Sequence, residues 1–294
     1  MTIRDRVKEM APDGLREGIK RVLVRYGERT SDRRPLPDFL IIGTKRGGTT
    51  SLWNYLIQHP LVPRLFPAWN TKSPHYFEEN WWRGEAWYRS HFPTVRQRAA
   101  LERRHGGPVR AGEASPLYMF HPLVPERVHA LIPNVKLIVL LRNPVERAYS
   151  HWKERRTEGR EPLDFAEALA REPERTAGER ERMLADPNYF SEPYDWYTYR
   201  ARGRYLEHLE PWLKLFDRDQ FLFLISEEFY ADPAGTYARV LEFLGLPPYR
   251  LANYRVYNDR RSAPLAPELR EELTEYYRPY NAALAERLGL NLPW

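Results

Sequence analysis

The sequence predicts an α/β fold: three layers, with a central, mainly parallel sheet flanked by helices. Three observations lead there. From Asp38 onward, short apolar runs alternate with amphipathic segments, the pattern of strands joined by covering helices. Residues 37–56, "PDFLIIGTKRGGTTSLWNYL", read as a buried strand, a basic glycine turn and a helix start. The 294 residues, 42% hydrophobic and 14% aromatic, suit one large domain or two small ones and exclude a disordered chain. The strand–loop–helix at 37–56 makes the expected fold P-loop-like.

Taken in order, residues 1–36 form a helical arm and linker. Residues 15–26 carry apolar and basic side chains at near-helical spacing. They read first as a helix packed on the domain and second as a peripheral helix resting on an anionic membrane surface. No apolar run here is long enough for a signal peptide or a membrane span, so the expectation is a cytoplasmic protein, with peripheral membrane contact through this helix as the second reading. "TSDRRPLP" links the arm to a single domain over 37–294. Strands are predicted at 38–43, 109–115, 135–142 and 220–227, with a further short one at 61–66. Helices are predicted at 49–58, 122–132, 144–157, 204–216, 232–244 and 266–288. Pro125 and Pro279 fall inside two of them and blur their ends. Residues 158–202 interrupt the alternation as an insertion, either a lid or substrate-binding element or a solvated excursion.

Composition narrows the chemistry. The chain has no cysteine, which excludes disulfides, thiolate metal sites and a cysteine nucleophile. Its eight histidines form no HExxH or HxH cluster, so no metal is expected. The net charge of +6 suits an anionic ligand, but the arginines are scattered among acids and most read as solvated faces; no nucleic-acid partner is expected.

The first loop holds the strongest signal. Gly43, Gly47 and Gly48 permit a tight turn, and Thr49, Thr50 and Ser51 supply hydroxyls where helix amides would converge on an anion. Gly43 and Gly48 have the spacing of a Walker A loop, yet Thr49 stands where its lysine belongs and the lysine has moved back to Lys45, beside Arg46. The later strand ends in Arg142, where a Walker B strand would end in a metal-holding aspartate. A cation there repels a metal and attracts a second phosphate. The two departures together favour a nucleotide with phosphates at two separate places, handled without metal.

These residues sit in a longer series of blocks: "PDFLIIGTKRGGTTSLWNYLIQHP", "HYFEENWWRGEAWYRSHFP", "GEASPLYMFHP", "VKLIVLLRNPVERAYSHW", "RGRYLEHLEPWLKLF", "FLFLISEEFYADPAGTYARVLEFLGLP" and "ELREELTEYYRPYNAALAERLGL". In kind and order they resemble the PAPS-dependent sulfotransferases, in particular the carbohydrate branch with the heparan sulfate 3-O-sulfotransferases and the sulfotransferase domain of the N-deacetylase/N-sulfotransferases. The resemblance implies PAPS as sulfuryl donor, PAP as product, no metal, and a hydroxyl (less readily an amine) of a glycan, glycolipid or natural product as acceptor. It implies that Lys45, Arg46, Gly47, Gly48, Thr49, Thr50 and Ser51 cradle the 5′-phosphosulfate and that Arg142 and Ser150 hold the 3′-phosphate. Tyr205 matches a family tyrosine near the nucleotide, and Arg260 and Arg261 in "YNDRRSAP" resemble the family's closing loop.

On the acceptor side the chain departs from its relatives. They carry a glutamate, the usual base, two residues before the histidine of their "HFF"-like block; here that position is Ser73. The expected base therefore lies elsewhere: His75 first, since imidazole titrates near neutrality, then Glu113, then Glu78. The family's lysine after the second glutamate is Ala114, and Lys72 is the candidate replacement for its charge. Lys45 is expected to stabilise the leaving phosphate. Trp69, Trp81, Trp82 and Trp87 read first as core, with Trp81 and Trp82, Lys72 and Glu78 kept as acceptor-side candidates. Two other classes stay open: a non-catalytic adenosine-bisphosphate-binding protein, and a metal-dependent phosphotransferase.

Overall fold

The computed structural model describes residues 13–67, 72–257 and 264–294. Four strands, β1 (Phe39–Gly43), β2 (Gly112–Ala114), β3 (Lys136–Leu141) and β4 (Phe221–Ile225), form one sheet in the order β2-β1-β3-β4. Every pairing is parallel; Phe39 lies opposite both Gly112 and Lys136, and Leu137 opposite Phe221. All five residues of β1 and five of six in β3 are buried, as strands covered on both faces require. The predicted parallel sheet therefore holds, with each strand shorter than its apolar run. The strand expected at 61–66 does not form. Pro63 lacks a ladder donor, the stretch runs as turn and coil, and the Phe66 N–H donates to the His91 carbonyl instead.

Helices cover both faces: α1 (Asp13–Glu28), α2 (Thr49–Leu56), α3 (Gly84–Arg89), α4 (Val95–His105), α5 (Val124–Leu131), α6 (Pro144–Thr157), α7 (Phe165–Arg175), α8 (Glu179–Ala185), α9 (Glu192–Tyr197), α10 (Tyr205–Leu215), α11 (Ser226–Ala231), α12 (Pro233–Leu244) and α13 (Pro267–Leu288). Pro125 sits in the first turn of α5, where a missing N–H costs nothing, while Pro279 lies inside α13 without ending it. α1 packs Gly27 against Ser90 and leaves Ile19, Val22 and Tyr26 exposed. No described helix is long and apolar enough to cross a membrane.

Residues 158–202 fold as α7, α8 and α9 with a closing 3-10 turn at Ala201–Gly203. Asp164 and Ser191 cap α7 and α9 by accepting from the Glu167 and Tyr194 amides. Phe165 and Leu169 join Val145, Tyr199, Leu273 and Tyr277 in a second apolar cluster beside the main core. Burying each of the first two is worth about 1.5–3 kcal/mol, which fastens the segment onto α6 and α13. Chain order and sheet order diverge between β1 and β3: β1 connects to β2 on one side, β3 to β4 on the other. A crevice opens at the carboxyl ends of such a strand pair.

Candidate active site

The loop after β1 and the residue after β3 meet in that crevice. Gly47 fits because its neighbours leave no room: a Cβ would lie 2.8 Å from the Leu140 carbonyl oxygen and 2.8 Å from Thr44 Cγ2. Gly48 takes φ +99°, a left-handed conformation that favours glycine, and caps α2 without a side chain. A Cβ on it would meet Tyr230 Oη at 2.9 Å. The first-turn amides of Thr49, Thr50 and Ser51 thus have no carbonyl within the helix to bond, a ready anion cradle.

Around the cradle lies a cavity of about 570 Å³. The described residues in its wall include Lys45, Arg46, Gly48, Thr49, Thr50, Lys72, Arg142, Ser150 and Lys153, so five cations face one space. They are ordered by contacts among themselves. Arg142 Nη1 donates to the Arg46 carbonyl (2.9 Å), and Arg46 Nε donates to Ser150 Oγ (3.0 Å) while its Nη1 pairs with Glu154 (2.7 Å). Lys72 Nζ donates to Thr50 Oγ1 at 3.3 Å, and burial pushes it down to about 8. Lys45 Nζ donates to both oxygens of Asp195, at 2.9 and 3.1 Å. Burial lowers Lys45 to about 8 against the opposing pull of Asp195.

Not every residue expected in the donor site turns its side chain to the cavity. Ser51 is fully buried, and its Oγ accepts from the Tyr257 amide at 3.1 Å. Tyr205 is buried and its hydroxyl donates to the Arg142 carbonyl (2.7 Å), bracing that strand end from behind. Arg260, Arg261 and Trp69 lie outside the described residues.

The acceptor-side candidates form a second, connected group. His75 Nδ1 lies 2.8 Å from Glu78 Oε1, and that oxygen also accepts from Ser115 Oγ at 2.5 Å. Burial alone would lower His75, but the Glu78 hydrogen bond and the charges of Glu78, Glu79 and Glu113 raise it to about 9. His75 adopts φ +52° and Arg46 φ +71°, the two non-glycine residues in the left-handed region among those described. Such backbone costs about 1 kcal/mol or more, and it persists where contacts over-determine it. Here the Ser73 hydroxyl accepts from the His75 amide, and Ser150, Glu154 and Arg142 hold Arg46.

Glu113 is fully enclosed. It accepts from Tyr88 Oη (3.1 Å) and Tyr118 Oη (2.5 Å), and burial raises it to about 7 although the Ser73 and Tyr118 hydroxyls pull the other way. Glu79 is in electrostatic reach of His75, Glu78, Asp195 and Lys45, so the acceptor group and the donor lysine share one neighbourhood. The ligand atoms of His75, Glu78 and Glu79 lie within 4.8 Å of one another. Trp81 is half-buried over Phe77 and under the Arg127 guanidinium; Trp82 is 60% exposed beneath Arg83.

A sulfotransferase domain model matches residues 36–276. The chain belongs to the sulfotransferase family. It is 32% identical over 289 residues to human heparan sulfate glucosamine 3-O-sulfotransferase 6, spanning 89% of this chain and 75% of that protein. It is 30% identical over 233 residues to the Caenorhabditis elegans bifunctional heparan sulfate N-deacetylase/N-sulfotransferase 1, 77% of this chain and 24% of that one. Among solved structures, a sulfotransferase from Alicyclobacillus acidocaldarius superposes with TM-score 0.65 at 29% identity, covering 88% of this chain and 98% of that one. The sulfotransferase is thus an enzyme whose family uses PAPS as donor and releases PAP.

The cleft suits such a donor. A glycine-capped helix N-terminus, and five cations in the same wall, match a ligand with two anionic ends. The sulfotransferase also brings residues to the site that sequence reasoning missed: Lys153, Glu154, Tyr230 and Tyr257 in the cavity wall, and Asp195, Arg155 and Arg202 around Lys45. Lys153 and Glu154 were findable, one turn beyond Ser150 on α6; the others carry no local signal.

Proposed function

We propose that this sulfotransferase moves the sulfuryl group of PAPS to a hydroxyl of a glycan or glycolipid acceptor, with His75 as general base and without metal. The observation that carries this reading is the convergence of Lys45, Arg46, Lys72, Arg142 and Lys153 on one glycine-floored cleft, with the His75–Glu78 pair adjoining it. The acceptor class is supported by the names of the relatives, which act on heparan sulfate. When bound, the donor supplies an activated sulfuryl group on a good leaving phosphate. The loop amides and Lys45 hold the 5′ end and offer charge where negative charge grows, the electrostatic contribution that dominates such reactions. Arg142, Ser150 and Lys153 bind the 3′-phosphate. His75, neutral, takes the acceptor proton at Nε2 while Glu78 fixes its Nδ1 side. Glu113, locked by two tyrosines, shapes the wall behind Ser73. Residues 37–294 work as one domain, with 158–202 as the element that closes on Lys45.

A test is transfer of ³⁵S from PAPS to desulfated heparan fragments, with and without EDTA. The reading expects EDTA-insensitive transfer, lost about 10²–10⁴-fold in His75→Ala and about 10²–10³-fold in Lys45→Ala. No transfer to any glycan with tight PAP binding would favour the binding-only alternative; ATP hydrolysis with Mg²⁺ would favour a phosphotransferase.

The exposed Ile19, Val22 and Tyr26, beside Lys20, Arg21 and Arg25, also favour peripheral contact of α1 with an anionic membrane. Co-sedimentation with phosphatidylserine vesicles, absent with phosphatidylcholine alone and lost in Val22→Asp, would be its signature.

A further inference from the structure

Residues 158–202 place one carboxylate, Asp195, directly on the donor loop, 150 positions away in sequence. Its surroundings are lopsided. Lys45 Nζ donates to both oxygens, Arg202 Nη2 lies 3.3 Å from Oδ1, and Arg155 Nη2 lies 3.3 Å from Oδ2. Three cations thus share one carboxylate in a site where Asp195 and Lys45 are barely exposed. Three further features sharpen the imbalance. Arg202 Nη1 and Arg155 Nε are buried without a partner, and the enclosed His151 nearby has both ring nitrogens unpartnered.

We propose that Asp195 is the positioning residue for Lys45: it holds the ammonium poised at the donor cleft and hands it to the phosphosulfate on donor binding. This rests on the reading of Lys45 as the cation on the transferred group. The arrangement allows the hand-over because Asp195 does not become an orphan when Lys45 leaves; Arg155 and Arg202 still neutralise it. A buried carboxylate with a single cationic partner would resist the exchange, since removing that partner strands a charge in a poor dielectric. Burial alone would raise Asp195, but the charges of Lys45, Arg202 and Arg155 hold it at about 2, so it stays an anion throughout. The same contact keeps Lys45 protonated, against burial and against Arg202 and Arg155; Glu154 on α6 also raises it, and His151 and Glu79 complete the charged or titratable groups around it.

The readout is the Lys45 limb of kcat/KM for PAPS, taken as each variant's pH profile divided by that of the natural enzyme so that the unchanged His75 titration cancels. Asp195→Asn removes the largest charge favouring the ammonium, so the limb should move to lower pH. Normalised at pH 6.5, activity at pH 8.5 should fall roughly five- to tenfold below that of the natural enzyme for a displacement of about one pH unit. Arg155→Gln removes an opposing charge, and there the limb should move to higher pH. Lys45→Arg, which cannot deprotonate in this range, should lose the limb in either background. PAP affinity at pH 6.5 should be equal or tighter in Asp195→Asn, because no carboxylate competes for Lys45. General loosening of the segment would weaken PAP binding and move both limbs alike, so shifts of the same sign in Asp195→Asn and Arg155→Gln overturn the proposal. If Asp195→Asn does not fold, an unmoved limb in Arg155→Gln overturns it alone. If Lys45→Ala leaves turnover intact, it is the reading of the donor site that fails; loss in Lys45→Ala with no movement in Asp195→Asn sinks the hand-over only.

Discussion

Glu113 gives the sharpest quantitative test of the site. Its carboxyl is fully enclosed and raised from an ordinary 4.5 to about 7. A raised acid favours its protonated form in the fold, so its contribution to stability is fully present below pH 4.5 and is lost as pH rises through 7. At about 1.4 kcal/mol per pKa unit, that loss is about 3 kcal/mol. Glu113→Gln keeps the shape and a carbonyl acceptor for Tyr88 or Tyr118 but cannot ionise. Urea unfolding of both proteins at pH 5 and pH 8, followed by tryptophan fluorescence, isolates this group, because other titrations cancel in the double difference. The natural protein should lose about 2–3 kcal/mol more than Glu113→Gln between those two pH values. The same variant separates support from chemistry: turnover should stay within about tenfold, whereas removing a general base costs about 10²–10⁴. Parallel stability changes would refute the burial argument, and a loss beyond a hundredfold in a stable variant would put Glu113 on the acceptor.

Two further outcomes follow from the geometry. Arg142→Ala should weaken PAP binding by calorimetry by about 1.5–3 kcal/mol, the worth of a charge-assisted contact, while Ser150→Ala should cost about 1 kcal/mol. The pH profile of kcat/KM should be a bell whose top lies between about 8 and about 9: neutral His75 is required, so rate rises toward about 9, and protonated Lys45 is required, so rate falls above about 8. Acid-side optima near pH 6 would contradict both assignments.

How much of this was legible in the chain follows from distance along it. The donor loop packs a strand, three glycines and two cations into eleven residues, and backbone rules alone place them. Arg142 was legible because it ends a strand that must neighbour β1. The strand misread at 61–66 shows the limit of apolarity as a guide: "LVPRLF" is apolar enough, but Pro63 and the His91 carbonyl decide otherwise. His75 was chosen as base for its ordinary pKa, and the fold moves that pKa upward through Glu78, three residues on, which spacing alone did not reveal as a hydrogen bond. Glu113 reads the same in sequence whether it faces an acceptor or two tyrosines, since Tyr88 lies 25 positions away. Asp195 was the least legible: it belongs to a segment with no periodic motif, and its partner lies 150 positions away in sequence.

The tight floor of the donor loop bears on how such an enzyme can change over generations. The obstacle to a methyl at Gly47 is a carbonyl of β3, which cannot step aside without moving the sheet; at Gly48 it is the Tyr230 hydroxyl. Any side chain at Gly47 must displace sheet backbone, and any at Gly48 must take a left-handed conformation that L residues rarely adopt, so the donor loop resists change at both. The acceptor-side candidate Trp82 is held less tightly: it stands 60% exposed, with the Arg83 guanidinium over its ring. Mutational drift is therefore channelled. This scaffold can acquire new molecules to sulfate far more readily than a new reagent to sulfate them with.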